Sequence, residues 1–175
     1  MNAPILVSYA TRGGSTAEVA EAISLALNGE GLRSIVQPVE AVESLEGFNT
    51  IILGAPLYIG RFPKPFHRFL VRHRDALRII RPWIFVLGPT RPIPSDFDAA
   101  RRQAHRQLGR HPWLQPVEVH IFGGRFDLNH APQPLTLLQR LPIPALRRLP
   151  TADIRDWVAI RAWSRAVALN IKSAA

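Results

Sequence analysis

The residues best suited to chemistry in this 175-residue chain are Thr11, Arg12, Gly13, Gly14, Ser15 and Thr16. They follow the apolar run Ile5–Tyr9 and open an amphipathic pattern of Ala17, Val19, Ala20, Ile23 and Leu27. A strand that stops at small hydroxyl and glycine residues, then starts a helix, leaves several backbone N–H groups unpaired. Thr11, Ser15 and Thr16 add hydroxyl donors, and Gly13 and Gly14 permit close backbone approach. The helix start contributes about half a positive charge. Such a combination binds phosphate. Neither Gly-Lys-Ser/Thr nor Gly-x-Gly-x-x-Gly spacing is present, which excludes the nucleoside-triphosphate loop and the dinucleotide fingerprint. The plainer reading of the same residues is a strand–helix turn with a capping serine.

The elements that must position this turn read as alternating strands and helices. The pattern predicts strands over 4–9, 33–38, 50–55, 83–88 and 117–122. It predicts helices over 15–28, 64–79, 96–108 and 153–171, with a brief helical turn over 41–45. Asp153 is the expected cap of the last helix, and Asp96 gives the 96–108 helix an acidic start. Alternation of this kind implies one parallel sheet covered by helices on both faces, with strand order 2-1-3-4-5. The crevice of that topology lies at the carboxyl ends of strands 1 and 3. The turns after strands 3 and 4 should therefore complete a site begun by residues 11–16. They contain Pro56, Leu57, Tyr58, Ile59, Gly60 and Arg61, and then Gly88, Pro89, Thr90 and Arg91. A signalling receiver domain shares this strand order but needs carboxylates where Ser8, Tyr9 and Ala55 stand.

Thr11-Arg-Gly-Gly-Ser-Thr16 resembles the FMN-phosphate loop of flavodoxins, with Thr11, Gly14 and Thr16 matching. Gly13 stands where many flavodoxins carry a hydroxyl residue. Gly54-Ala-Pro-Leu-Tyr-Ile-Gly60, Phe122-Gly-Gly-Arg-Phe-Asp127 and Asp153-Ile-Arg-Asp-Trp157 resemble segments of the menaquinone-dependent protoporphyrinogen dehydrogenases. The resemblance implies a flavodoxin-like three-layer α/β/α sandwich with FMN as cofactor. Its phosphate would sit on residues 11–16, its ring against Tyr58, and its polar edge on Ile59, Gly60 and the Pro89-Thr90-Arg91 turn. The implied function is an FMN oxidoreductase acting on a porphyrinogen-like or other anionic substrate, with a quinone as acceptor. A non-catalytic binding module on the same scaffold and a single-electron carrier are the alternatives. No general acid or base stands out, so no catalytic residue is assigned.

Lys and Arg number 22 against 13 Asp and Glu, a formal net charge of +9, and only Lys64 and Lys172 are lysines. Arg12, Arg61 and Arg91 fall around the expected crevice mouth. Positive charge there favours an anionic reduced flavin and raises its potential. The same residues suit a carboxylated substrate, for which Arg61 and Arg140 are the candidates. Nucleic acid is not the expected partner, because the arginines are scattered and no stacking-aromatic motif accompanies them. The chain reads as one domain over 1–175, with a Leu-, Pro- and Arg-bearing insertion over 126–151. That insertion suits a flap over the ring, a peripheral membrane contact through 128–150, or a homodimer contact. No cysteine is present, which excludes disulfide and thiolate chemistry, and the six histidines lack metal-ligand spacing. With neither a signal-peptide pattern nor an apolar run of about 20 residues, the expected location is the cytoplasm, with peripheral contact at the inner membrane face as the alternative.

Overall fold

A computed structural model describes residues 3–126 and 152–174. Five strands, β1 (Ile5–Tyr9), β2 (Ser34–Pro38), β3 (Thr50–Pro56), β4 (Trp83–Leu87) and β5 (Glu118–Phe122), form one parallel sheet in the order β2-β1-β3-β4-β5. The order matches the expected one. Its cause is visible in burial: Leu6, Val7, Ile51, Ile52, Leu53, Ile84 and Val86 are fully buried, as strands covered on both faces must be. Each such side chain is worth roughly 1.5–3 kcal/mol of burial.

Helices α1 (Ser15–Gly29) and α5 (Trp157–Ser173) cover one face of the sheet. Ile23, Leu27, Ile160 and Val167 meet Val7, Ile52 and Phe85 there. Helices α2 (Lys64–Arg72), α3 (Arg74–Ile80) and α4 (Pro94–Leu108) cover the other face. Phe66, Leu70, Leu77 and Ala104 pack with Leu6, Leu53 and Ile84 on that side. No helix among the described residues is long and apolar enough to cross a membrane.

Several local expectations give way to tertiary structure. No helix forms over 41–45; the chain turns at residues 39–41 and then has no regular structure, with Val42 and Leu45 buried in the core. The expected 64–79 helix is two helices. At the break His73 takes φ −104° and ψ 23°, is buried, and packs its ring 4.7 Å from Phe69. Helix α4 begins two residues early because Pro94 suits a first helical turn, so Asp96 lies within that turn. Asp156, not Asp153, caps α5, accepting the Val158 and Ala159 amides at 2.9 Å each.

Asp153 lies instead in β7 (Ala152–Asp153), which pairs antiparallel with β6 (Arg125–Phe126). This two-stranded ribbon was not expected from the sequence. The departing and returning ends of the 126–151 insertion are thereby held side by side. Most of that insertion, including Arg140 and the 128–150 stretch offered for membrane or dimer contact, lies outside the described residues.

Candidate functional site

The turn after β1 is built to leave amides free. Gly14 is the N-cap residue of α1, with φ +80° and no side chain to cap the helix. That conformation favours glycine. The Gly14 amide is donated to Thr11 Oγ1 at 3.0 Å, and the helix ladder starts only at the Glu18 amide, donated to the Gly14 carbonyl at 3.1 Å. The amides of Ser15, Thr16 and Ala17 thus precede the ladder and have no intrahelical acceptor. Thr16 Oγ1 is fully buried and has no hydrogen-bond partner among the described residues. A capping serine, the plainer reading, is not what the turn contains. Thr11 serves first as the acceptor that shapes the loop, and only its O–H proton is left to donate.

Beneath the turn lies a cluster of charges that sequence reasoning missed. Arg155 is almost wholly buried. It makes two hydrogen bonds to the Asp153 carboxylate, at 2.8 and 2.6 Å, and a third to Glu18 Oε2 at 2.7 Å. It also donates to the Ser15 carbonyl at 3.4 Å, and its guanidinium lies 4.7 Å from the centre of the Trp157 ring. Arg125 reaches the other Glu18 oxygen at 3.0 Å. The Arg155 hydrogen bonds hold the Asp153 carboxyl below its ordinary pKa, against a smaller opposing effect of burial. The network ties the first turn of α1 to the base of the β6–β7 ribbon. Its members lie 137 and 107 residues apart in the chain, so no local pattern announces them.

The register brings the three loops together, with Tyr9 opposite Gly54 and Pro56 opposite Leu87. Pro56 is buried at the end of β3, and Leu57 donates its amide to the Leu87 carbonyl at 2.8 Å. Leu57 packs on the core, so these two residues fasten the loop to the sheet. Tyr58 and Arg61 then pair as a hairpin, through amide–carbonyl bonds of 2.9 and 3.0 Å. Its tip, Ile59 and Gly60, has φ 48° and 71°, a turn with both central residues left-handed. Ile59 is fully exposed there. A β-branched residue in that region stores backbone strain.

Tyr58 faces the turn after β1. The Arg12 guanidinium lies 5.4 Å from its ring centre. Burial raises its hydroxyl pKa, while the amides of Arg12 and Gly13 act in the opposite direction. The hydroxyl therefore lies against the Arg12 and Gly13 amides.

The turn after β4 is held by close backbone packing. Gly88 donates its amide to the Phe122 carbonyl at 3.1 Å, and Gly124 donates to the Pro89 carbonyl at 2.7 Å. A Cβ on Gly88 would sit 2.9 Å from Ala100 Cβ, and one on Gly124 would sit 2.9 Å from the Gly88 carbonyl oxygen. At both glycines another segment, the Ala100 side chain or the Gly88 backbone, lies too close for a side chain. Thr90 is half-buried, whereas Arg91 is exposed and grips Asp96 through two bonds of 2.8 and 3.1 Å. Arg91 is thus partly neutralised, unlike Arg12 and Arg61, which are exposed and have no carboxylate partner among the described residues. Gln103 of α4 is a further residue of the rim, lying 3.1 Å from where a Cβ on Gly60 would be.

The family model for the flavodoxin domain matches residues 6–149. Solved structures similar in fold include a single-residue mutant, cysteine to alanine, of flavodoxin from Pseudomonas aeruginosa. It is 15% identical, with a TM-score of 0.60, 97% of this chain covered and 99% of that one. A flavodoxin, WrbA-like protein from Agrobacterium tumefaciens is 16% identical, with a TM-score of 0.54 and 98% of both chains covered. Rubredoxin oxygen:oxidoreductase from Desulfovibrio gigas is 12% identical, with a TM-score of 0.57, 98% of this chain covered and 37% of that one. No curated protein matches by sequence. FMN is the cofactor of such domains, and the residues here fit its phosphate: a buried hydroxyl without a partner sits at a helix start whose first amides are free. The chain belongs to the flavodoxin-domain family.

Proposed function

We propose that the chain is an FMN-dependent oxidoreductase that takes electrons from a small anionic donor of the porphyrinogen type, with a quinone as one acceptor. The observation that carries the flavin is the unpartnered Thr16 hydroxyl at the head of α1. A buried hydroxyl without a partner is costly unless a ligand satisfies it. In this reading the Ser15, Thr16 and Ala17 amides and the Thr16 hydroxyl hold the phosphate, and Thr11 keeps the loop in shape. Tyr58, Ile59 and Gly60 border the ring on one side, and the Gly88–Arg91 turn borders it on the other. Bound FMN supplies reversible electron-pair chemistry.

Arg12 and Arg61 give the rim its remaining task. Without carboxylate partners among the described residues they are able to hold a donor's carboxylates, and their charge favours added negative charge on the ring. Acidic surroundings would do the reverse, which is why the electron-pair reading is preferred here to a low-potential carrier.

The test begins with purified protein and FMN at micromolar concentration. Uptake should quench flavin fluorescence, and Thr16→Val, which keeps the volume of this buried side chain, should weaken it about tenfold while circular dichroism stays unchanged. Absence of uptake by the wild-type chain ends the flavin reading. The loaded protein is then mixed anaerobically with protoporphyrinogen and menadione. Bleaching of the flavin by the porphyrinogen supports the donor class. A flavin that responds to dithionite alone excludes that class and leaves the carrier role.

A further inference from the structure

Between Gly47 and Ser95 the chain has eight Lys and Arg residues and a single carboxylate, Asp75. Residues 99–117 add four arginines and no carboxylate. On the surface these charges become ordered. Lys64, Arg68 and Arg72 recur every four residues along α2, and Arg102, Arg106 and Arg110 do the same along α4 and just beyond it. Residues four apart share one face of a helix, and all six are exposed. The two helices are joined side by side: His67 of α2 contacts Gln107 of α4 at 3.3 Å and His111 at 2.8 Å. Two cationic stripes thus lie on adjacent helices of the same layer.

Among the described residues no carboxylate pairs with these six cations. Arg72 makes one long contact, of 3.5 Å, to the Glu43 carbonyl. The carboxylates of α4 sit at its start and are engaged, Asp96 by Arg91 and Asp98 by Arg101. Helix α2 has no carboxylate. The stripes also border the site, because α2 begins three residues after the Tyr58–Arg61 hairpin and Gln103 of α4 supports Gly60.

We infer that the α2–α4 face is the docking surface for an acidic redox protein, which exchanges electrons with the flavin at the neighbouring hairpin. This rests on the flavin reading above. The exchange is outer-sphere: one electron leaves the reduced partner and enters the flavin at each encounter, two encounters supply the electron pair that the quinone takes up with two protons from solvent, and no bond is made or broken between the proteins. The surface has the anatomy of a small electrostatically steered interface. An apolar tip, Ile59, stands beside a broad charged area in which Val71, Ile79 and Ile93 are scattered exposed apolar residues. A bilayer would need a continuous apolar helix face, whereas α2 alternates cations with the one exposed apolar residue Val71. A single-stranded nucleic acid would need aromatic platforms, and no aromatic side chain is among the large exposed hydrophobics of the described residues.

The experiment uses the full chain loaded with FMN, and an acidic plant-type [2Fe–2S] ferredoxin as the probe. Arg68→Glu with Arg106→Glu reverses the stripes. Arg161→Glu with Arg165→Glu makes the same charge change on α5, on the opposite face of the sheet. Flavin content and thermal melting are recorded for both, so that loss of cofactor or fold is seen separately. At about 50 mM salt the stripe variant should lose roughly tenfold in ferredoxin affinity and in the rate of flavin reduction, and the α5 variant less than about twofold. Equal losses in both variants would reduce the effect to net charge and overturn the proposal. So would wild-type affinity that is indifferent to salt, or tighter binding of a duplex of about 20 base pairs or of phosphatidylglycerol vesicles than of ferredoxin. Failure of FMN uptake would instead strike the flavin reading.

Discussion

Arginine is used in two opposite ways on the two sides of this sheet. Beneath the phosphate turn Arg155 is buried, shared between two carboxylates, and laid over Trp157. In the stripes of α2 and α4 the arginines are exposed and have no carboxylate partner among the described residues. The same side chain is a structural bolt in one place and an unspent charge in the other. The difference is water. A guanidinium removed from solvent must have its partners built around it, whereas an exposed one contributes little to stability and stays available to another molecule.

The largest effect expected from this contrast is on folding. Arg155→Met should cost about 2–3 kcal/mol in urea denaturation, somewhat below the usual figure for a broken buried pair because Glu18 and Asp153 keep water. Arg106→Met should change stability by less than about 0.5 kcal/mol. Equal costs for the two substitutions would erase the distinction.

Thr16→Val sharpens the contrast from the ligand's side. Its hydroxyl has no partner among the described residues, so the free protein should be as stable as wild type or slightly more so. FMN affinity should fall roughly tenfold, the worth of one charge-assisted hydrogen bond. A destabilised free protein with unchanged FMN binding would show that the hydroxyl serves the fold.

Ile59→Gly should stabilise the free protein by about 1 kcal/mol, since it removes a β-branched residue from the left-handed region. Denaturation midpoints of the two proteins check this, and a loss of stability would mean the hairpin carries no strain.

The smallest effect concerns the seam between the two cationic helices. Burial lowers the pKa of both His67 and His111 below 6.5, and Arg110 pushes in the same direction. The unfolded chain therefore binds more protons in mild acid. Stability from this pair is full above about pH 6.5 and declines as pH falls through it. His111→Asn should flatten the dependence of melting temperature on pH across the mildly acidic range, and an unchanged slope would assign that dependence to other groups.

Much of this was legible in the sequence for a simple reason. Val7, Ile52, Leu53 and Val86 sit in short apolar runs, and a run buried on both faces reads as a strand whatever surrounds it. The turn at Gly14 that opens α1 was legible because a strand–helix turn is local. Tyr58 was found, but not its lean toward Arg12 and Gly13, which depends on how the hairpin folds back. The switch of cap from Asp153 to Asp156 was not legible, because Asp153 is drawn into a ribbon with the distant Arg125, and the helix break at His73 carries no signal in the helical pattern of 64–79.

By itself, then, the order of residues determined the strands, their sequence across the sheet and the glycine turn that opens α1, all set by neighbours a few positions apart. Only the tertiary structure decided that Glu18 meets Arg155, that Asp96 takes Arg91 and leaves Arg12 and Arg61 to the rim, and that two separate helices merge their cations into one surface. Electrostatic and hydrogen-bond partnerships depend on distance through space, and the folded chain alone sets that distance.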